Sequence, residues 1–334
     1  MDWLPVLLGL AVVFSVIMYV VTDGFDLGIG ILVFFAPGEA ERATMITSIA
    51  PFWDGNETWL VLGGTLLIAA FPLAYATLLP AFYLPLMTML FALVFRGIAF
   101  EFRFRSRRFR WLWDLTFIGG STLATFCQGI VLGAFIEGIP VADGAFRGST
   151  FGFLSVFAVI CGAGLLAGYA MLGATWLIFK SSGTTAQYGR LAARITLPLT
   201  LAFVAIVSIW TPLAFPRIAM RWFNWPNIAY LSPMPILTTV LAFSAWRGIS
   251  GTRDWLPFLL AILLFLLAFL GLGISLWPYA VPYTATLWQA ASSRPTLAFV
   301  GAGTAVIVPI VLAYFAFAYW VFRGKATDQT GYRR

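Results

Sequence analysis

Residues 49–71 read IAPFWDGNETWLVLGGTLLIAAF. Asp54, Asn56 and Glu57 stand at the mouth of an apolar run that continues to Phe71. Upstream, VTDGFDLGIGI (21–31) sets Asp23 and Asp26 inside a second apolar run. An acid at bilayer depth costs about 3 kcal/mol even on the lenient insertion scale, so such residues face protein or water and often mark proton or ion routes. Whether these two stretches are membrane spans therefore decides both fold and chemistry.

Working outward, the whole chain favours spans. It has 334 residues, 61% of them hydrophobic and only 10% charged, with mean hydropathy +0.93. Apolar windows of about 20 residues, each long enough to cross a bilayer, recur along the length. The expected fold is all-α and polytopic, with nine spans near 4–34, 52–72, 74–100, 112–136, 152–179, 192–213, 233–246, 255–277 and 297–322. The seventh, short and proline-rich at its start, is expected to begin earlier, near Ile228. The opening MDWLPVLLGLAVVF carries an acid and no basic flank, so a cleaved signal peptide is not expected.

Charge sets an orientation. With nine spans, the loops after spans 1, 3, 5 and 7 share a side with the C-terminus. That side holds 15 Lys and Arg residues, including Arg103, Arg105, Arg107, Arg108 and Arg110; the other holds 4, Arg147, Arg217, Arg221 and Arg294. Basic loops stay cytoplasmic, which places the N-terminus outside. The net charge of +7 is thus accounted for by topology, and no nucleic-acid partner is expected. In that frame Asp23, Asp26, Asp54, Asn56, Glu57, Arg96 and Glu101 come from three spans to one depth on the cytoplasmic side.

For Glu57 and Glu101, nearest the span ends, plain interfacial placement is the competing reading. Asp26 precedes LGIGILVFF, a poor exposed loop, and Asp54 is flanked by Trp53 and Trp59, which could wall it from lipid. Arg96 follows LMTMLFALVF and should pair with an acid, because an unpaired buried cation is expensive. Asp23-Gly24 and Asp54-Gly55 suggest local helix breaks, while Gly28 and Gly30 would let helices approach closely. Gln128 and Glu137 are weaker polar sites toward the outside, and the aromatics of 277–293 read as an interfacial belt. Histidine is absent, which excludes His-ligated haem and imidazole proton shuttles. Cys127 and Cys161 sit far apart in apolar contexts, which suggests packing and no metal site.

Four stretches carry a resemblance: VTDGFDLGIGIL (21–32), SIAPFWDGNETWL (48–60), FRGIAFEFRFRSRR (95–108) and ISLWPYAVPYTATLWQAASS (274–293). Together they resemble subunit II of cytochrome bd-type quinol oxidases, over essentially the full chain. Glu57 looks more like the cyanide-insensitive branch. The resemblance implies a nine-span fold of two four-helix bundles, within 1–136 and 152–277, plus a peripheral helix at 297–322. It implies a haem-free chain whose partner, subunit I, carries two b haems and haem d and oxidises quinol. A structural quinone, membrane lipids and a small single-span accessory subunit are further implied associates. The complex would sit in the bacterial inner membrane, reduce dioxygen to water and take its chemical protons from the cytoplasm.

By the same resemblance, Asp54, Glu57 and Glu101 belong to a proton pathway. Asp23, Asp26 and Arg96 are polar positions that face the partner or support the pathway. Trp59 lines an apolar route for oxygen. Two other readings stay open here: a self-contained transporter or channel, suggested by the intramembrane acids, and a passive scaffold with no proton role. A transporter would carry inverted repeats with paired broken helices, and no convincing pair is visible.

Overall fold

A segment inside a bilayer must satisfy its backbone groups internally, and this chain does so with helices. The computed structural model describes residues 3–106, 108–142 and 144–326. Arg107, Arg333 and Arg334, counted above on the basic side, lie outside the described residues. The helices are α1 (Leu4–Leu32), α2 (Glu39–Ile49), α3 (Trp53–Ala70), α4 (Pro72–Arg103), α5 (Arg110–Glu137), α6 (Val156–Lys180), α7 (Gly183–Ala214), α8 (Pro216–Phe223), α9 (Asn227–Leu231), α10 (Pro233–Ile249), α11 (Trp255–Leu276), α12 (Leu287–Ala290) and α13 (Arg294–Val321). The only strands among the described residues form two small antiparallel hairpins, β1–β2 (Val141–Ala142 with Ala145–Phe146) and β3–β4 (Tyr279–Val281 with Ala285–Thr286).

Eight helical segments among the described residues are long and apolar enough to cross a membrane. The remaining expected span, 52–72, is α3: it has 18 residues, and its polar start lowers its apolarity below the other eight. The seventh expected span does begin early, running through α9 and α10 as Asn227–Ile249.

Three features depart from the sequence reading. First, neither suspected break exists: α1 runs unbroken through Asp23-Gly24, and α3 includes Asp54-Gly55. Second, the connection between the first two spans is itself a helix, α2. Glu39 and Glu41 occupy its first turn, where acids complement the helix dipole, and Met45, Ile46 and Ile49 are buried. Third, 277–293 is more than a belt. Its hairpin and α12 fold back on the helix ends: the Tyr283 hydroxyl donates to the Ile136 carbonyl at 2.8 Å, and Ser292 N donates to the Ala70 carbonyl at 2.8 Å.

Packing places α1 at the centre. It contacts α3 and α5, which both meet α4, so these four helices touch in a closed cycle. Helices α6, α7, α10 and α11 form a second cycle, joined to the first through α1–α6 and α5–α6. Helix α13 lies against α1 and α3, and beyond it Ala326 N donates to the Lys180 carbonyl at 2.7 Å.

The α1–α6 seam is possible only because both backbones carry glycine. A Cβ on Gly28 would stand 1.8 Å from the Tyr169 carbonyl oxygen, and one on Gly173 would stand 2.6 Å from the Gly28 carbonyl carbon. Backbone cannot yield as a side chain can, and even ordinary overpacking costs about 1–3 kcal/mol. Gly28→Ala should therefore lower the thermal midpoint of the purified protein by several degrees. Gly64→Ala, where nothing lies within 4 Å, should leave it unchanged. Size-exclusion profiles of heated samples would read both.

Candidate functional site

The C-terminal half of α1 is sealed on every side: residues 22–30 are all buried, held among α3, α5 and α6. Asp23 and Asp26 are therefore each 0% exposed. Helix α4 delivers Arg96, at 1% exposure, and its Nη2 donates to Asp23 Oδ1 at 2.8 Å. The same Nη2 lies 3.5 Å from Glu57 Oε1 on α3. One guanidinium thus holds α1, α3 and α4 together.

Asp26 has a different partner. Asn56, also 0% exposed, donates through Nδ2 to Asp26 Oδ2 at 2.7 Å and to the Thr22 carbonyl at 3.2 Å. Its Oδ1 accepts from the Tyr319 hydroxyl of α13 at 3.2 Å. Asn56 is therefore a fixed relay between α1, α3 and α13, oriented because its two ends meet an acceptor and a donor. Several buried polar atoms around this point have no protein partner: Asp23 Oδ2, Asp26 Oδ1, Arg96 Nη1 and Ser121 Oγ.

Deeper along α1 a second polar chain continues. Gln128 Nε2 donates to the Tyr19 hydroxyl at 2.8 Å, and the Tyr169 hydroxyl donates to Gln128 Oε1 at 2.8 Å. Gln128 was expected to be a weak outer site; instead it joins α5 to α1 and α6 one turn from Asp23.

The remaining expected residues are on or near the surface. Asp54 is exposed in the first turn of α3 and makes no hydrogen bond or ion pair within the described residues, so Trp53 and Trp59 do not wall it in. Trp53 turns the other way, onto Phe100 of α4, with ring centroids 5.3 Å apart. Asp54, Thr58, Val61, Thr65 and Ile68 form one exposed stripe at helical spacing. Glu57 flanks it, with its side chain 26% exposed, and so connects the buried Arg96 to the surface of α3. Glu101 is exposed near the end of α4. Trp59 is 0% exposed, packed between Phe14 and Phe315 at centroid distances of 5.7 and 5.3 Å. Asp23, Asp26 and Arg96, expected to face the partner or to support the pathway, are buried inside the chain, where α3, α5 and α6 close over this part of α1.

A second ionic group escaped the sequence reading. Arg103, at 2% exposure, donates through Nη2 to Glu39 Oε1 at 2.9 Å and through Nε to Asp114 Oδ1. Arg42 and Arg110 complete it, at 3.3 Å from Asp114 and 3.2 Å from Glu39. The missed signal was Asp114 in RWLWDLTF, an acid one turn inside α5. No cluster of His, Cys, Asp or Glu suited to a metal ion occurs among the described residues.

Removing one partner of a buried ion pair costs about 3–5 kcal/mol, because the other charge is left unpaired. Arg96→Met should therefore sharply reduce the yield of folded protein. The double variant Arg96→Met/Asp23→Asn should recover part of it. Detergent-solubilised, monodisperse protein per cell would measure both.

The comparisons agree on one family. Residues 4–322 match the family described as Cytochrome bd terminal oxidase subunit II. The chain is 29% identical to Cytochrome bd-I ubiquinol oxidase subunit 2 of Escherichia coli (strain K12), over 93% of this chain and 92% of that one. It is 26% identical to Cytochrome bd ubiquinol oxidase subunit 2 of Bacillus subtilis (strain 168), over 92% of each. The solved structure of bd oxidase from Geobacillus thermodenitrificans superposes with TM-score 0.76 over 96% of this chain and 99% of that chain, at 16% identity, and so shares the fold.

Proposed function

This chain belongs to the cytochrome bd terminal oxidase subunit II family, and we propose that it works as the proton-supplying subunit of a quinol-oxidising, dioxygen-reducing complex of the inner membrane. The observation that carries the reading is the continuity from Arg96 through Glu57 to the exposed α3 stripe that begins at Asp54. Asp23 and Glu57 share one cation, Arg96, while Asp26 is held by the neutral amide of Asn56. An uncompensated charge in an apolar interior is costly, and Arg96 is the partner that two of these carboxyls share. Glu57 is the member that reaches the surface, and Asp54 is the next carboxyl on the same helix.

The stripe of α3 is the surface offered to a haem-bearing subunit I. Haem is assigned to that partner because histidine is absent here, and Cys127 and Cys161 are buried on different helices. Quinol, as the electron donor of the complex, is bound there too. With the basic loops cytoplasmic, the ionic cluster and the Glu39–Arg103–Asp114 group stand on the proton-uptake side, with Glu101 near the entry. The two helix cycles are the two four-helix bundles, α3 is the second of nine spans and α13 the ninth, peripheral one. Trp59 borders an apolar path for oxygen, which would open only by movement of its ring, given its complete burial.

Asp54→Asn tests the central residue cleanly. Asp54 makes no hydrogen bond or ion pair among the described residues, so the substitution should leave the fold of this subunit intact and remove only ionisation. Oxygen consumption by the assembled complex should fall at least about tenfold, or about 1.4 kcal/mol on the limiting step, with haem content and subunit ratio unchanged. Asp54→Glu should retain more activity. Full turnover in Asp54→Asn would remove it from the pathway, and loss of haem or partner would make it an interface residue.

A further inference from the structure

The end of α4 and the start of α5 form an open cavity of about 280 Å³ at the surface, lined by Phe102, Arg105, Ser106, Phe109, Leu112 and Trp113. Its two ends differ in chemistry. Phe102 and Trp113 stack at a centroid distance of 5.3 Å, and with Leu112 they make an apolar wall. Phe102 and Leu112 are 51% and 41% exposed. The other end carries Arg105 and Ser106.

Arg105 stands apart from its basic neighbours. Arg103 and Arg110 are committed to Glu39 and Asp114, and Arg108 lies over the Phe109 ring at 5.4 Å. Arg105 is exposed and has no carboxylate partner among the described residues. The Ser106 hydroxyl accepts from Phe109 N at 3.3 Å, which leaves its own proton free to donate. A guanidinium and a hydroxyl donor side by side suit a phosphodiester.

Both helices cross the membrane, so their shared end lies at headgroup depth. We propose that this cavity binds one anionic phospholipid, its phosphate held by Arg105 and Ser106 and an acyl chain laid along Phe102, Leu112 and Trp113. A free phosphate would use only the polar end and leave the exposed apolar wall uncovered. A zwitterionic lipid would bring its own cation against the surplus positive charge of this loop. Basic pockets at the ends of spans hold anionic headgroups for this reason.

The test uses the purified oxidase complex, delipidated in detergent and given equal amounts of phosphatidylglycerol and phosphatidylcholine, with bound lipid read by native mass spectrometry. The wild type should retain phosphatidylglycerol over phosphatidylcholine by at least about tenfold. Arg105→Glu should abolish that preference, and Leu112→Glu, which puts charge in the apolar end, should do the same. Arg108→Glu, the same charge change outside the cavity, should leave the preference within about twofold. Three results would overturn the proposal: no change in Arg105→Glu, an equal loss in Arg108→Glu, or displacement of the lipid by inorganic phosphate. Because the Arg105 side chain is exposed and makes no hydrogen bond or ion pair among the described residues, unchanged haem content in the variant separates this outcome from failure of the oxidase reading.

Discussion

Arg96 is the constraint on which the rest of the structure depends. Among the described residues it is the cation that pairs with Asp23 and Glu57, and it touches α1 and α3 from α4. A guanidinium stays charged whatever surrounds it, so it cannot relieve burial by losing its proton. Its neighbours must supply the compensation. That fixes Asp23 against it, fixes the depth of α4 relative to α1, and leaves Asp26 to be held by a neutral amide. Asn56 fills that place and brings α13 in through Tyr319. A helix otherwise mostly exposed is thereby tied to the polar centre.

The α1–α6 seam makes this arrangement possible. Gly28 and Gly173 bring the two backbones into contact, and the close approach excludes solvent from the lower half of α1. The acids are then sealed from every direction but one. Glu57, on the short polar-headed α3, is the exception, and beyond it lies a stripe with Asp54 and two threonines that is exposed among the described residues. Burial on one side and exposure on the other give the polar cluster a direction.

Much of this was legible in the sequence. The apolar windows gave the long helices, and the acids in VTDGFDLGIGI and WDGNETWL marked the polar centre, because carboxyls in such surroundings are rare enough to need a reason. The pairing of Arg96 with an acid followed from cost alone. The identities of partners did not follow. Asn56 meets Tyr319 across 263 residues and Arg96 meets Asp23 across 73, and no local pattern encodes such contacts. The suspected breaks at Gly24 and Gly55 were misread because glycine serves packing as readily as turning, and here the helices pass straight through. Helix α2 and the 277–293 fold-back were missed because short interfacial elements lack the long apolar window that makes spans visible. Asp114 was overlooked because it sits within a span that otherwise reads as apolar.

The central claim is that the α3 stripe faces a haem-bearing subunit and passes protons to it from the buried cluster. A density map of the assembled complex, sharp enough to place ordered water, tests this most directly. The account predicts that Asp54 lies in the subunit interface, with water linking it to Glu57 on one side and to the partner's haem region on the other. A map in which the stripe from Asp54 to Ile68 faces lipid, or in which Asp54 is sealed in dry apolar packing, would contradict it.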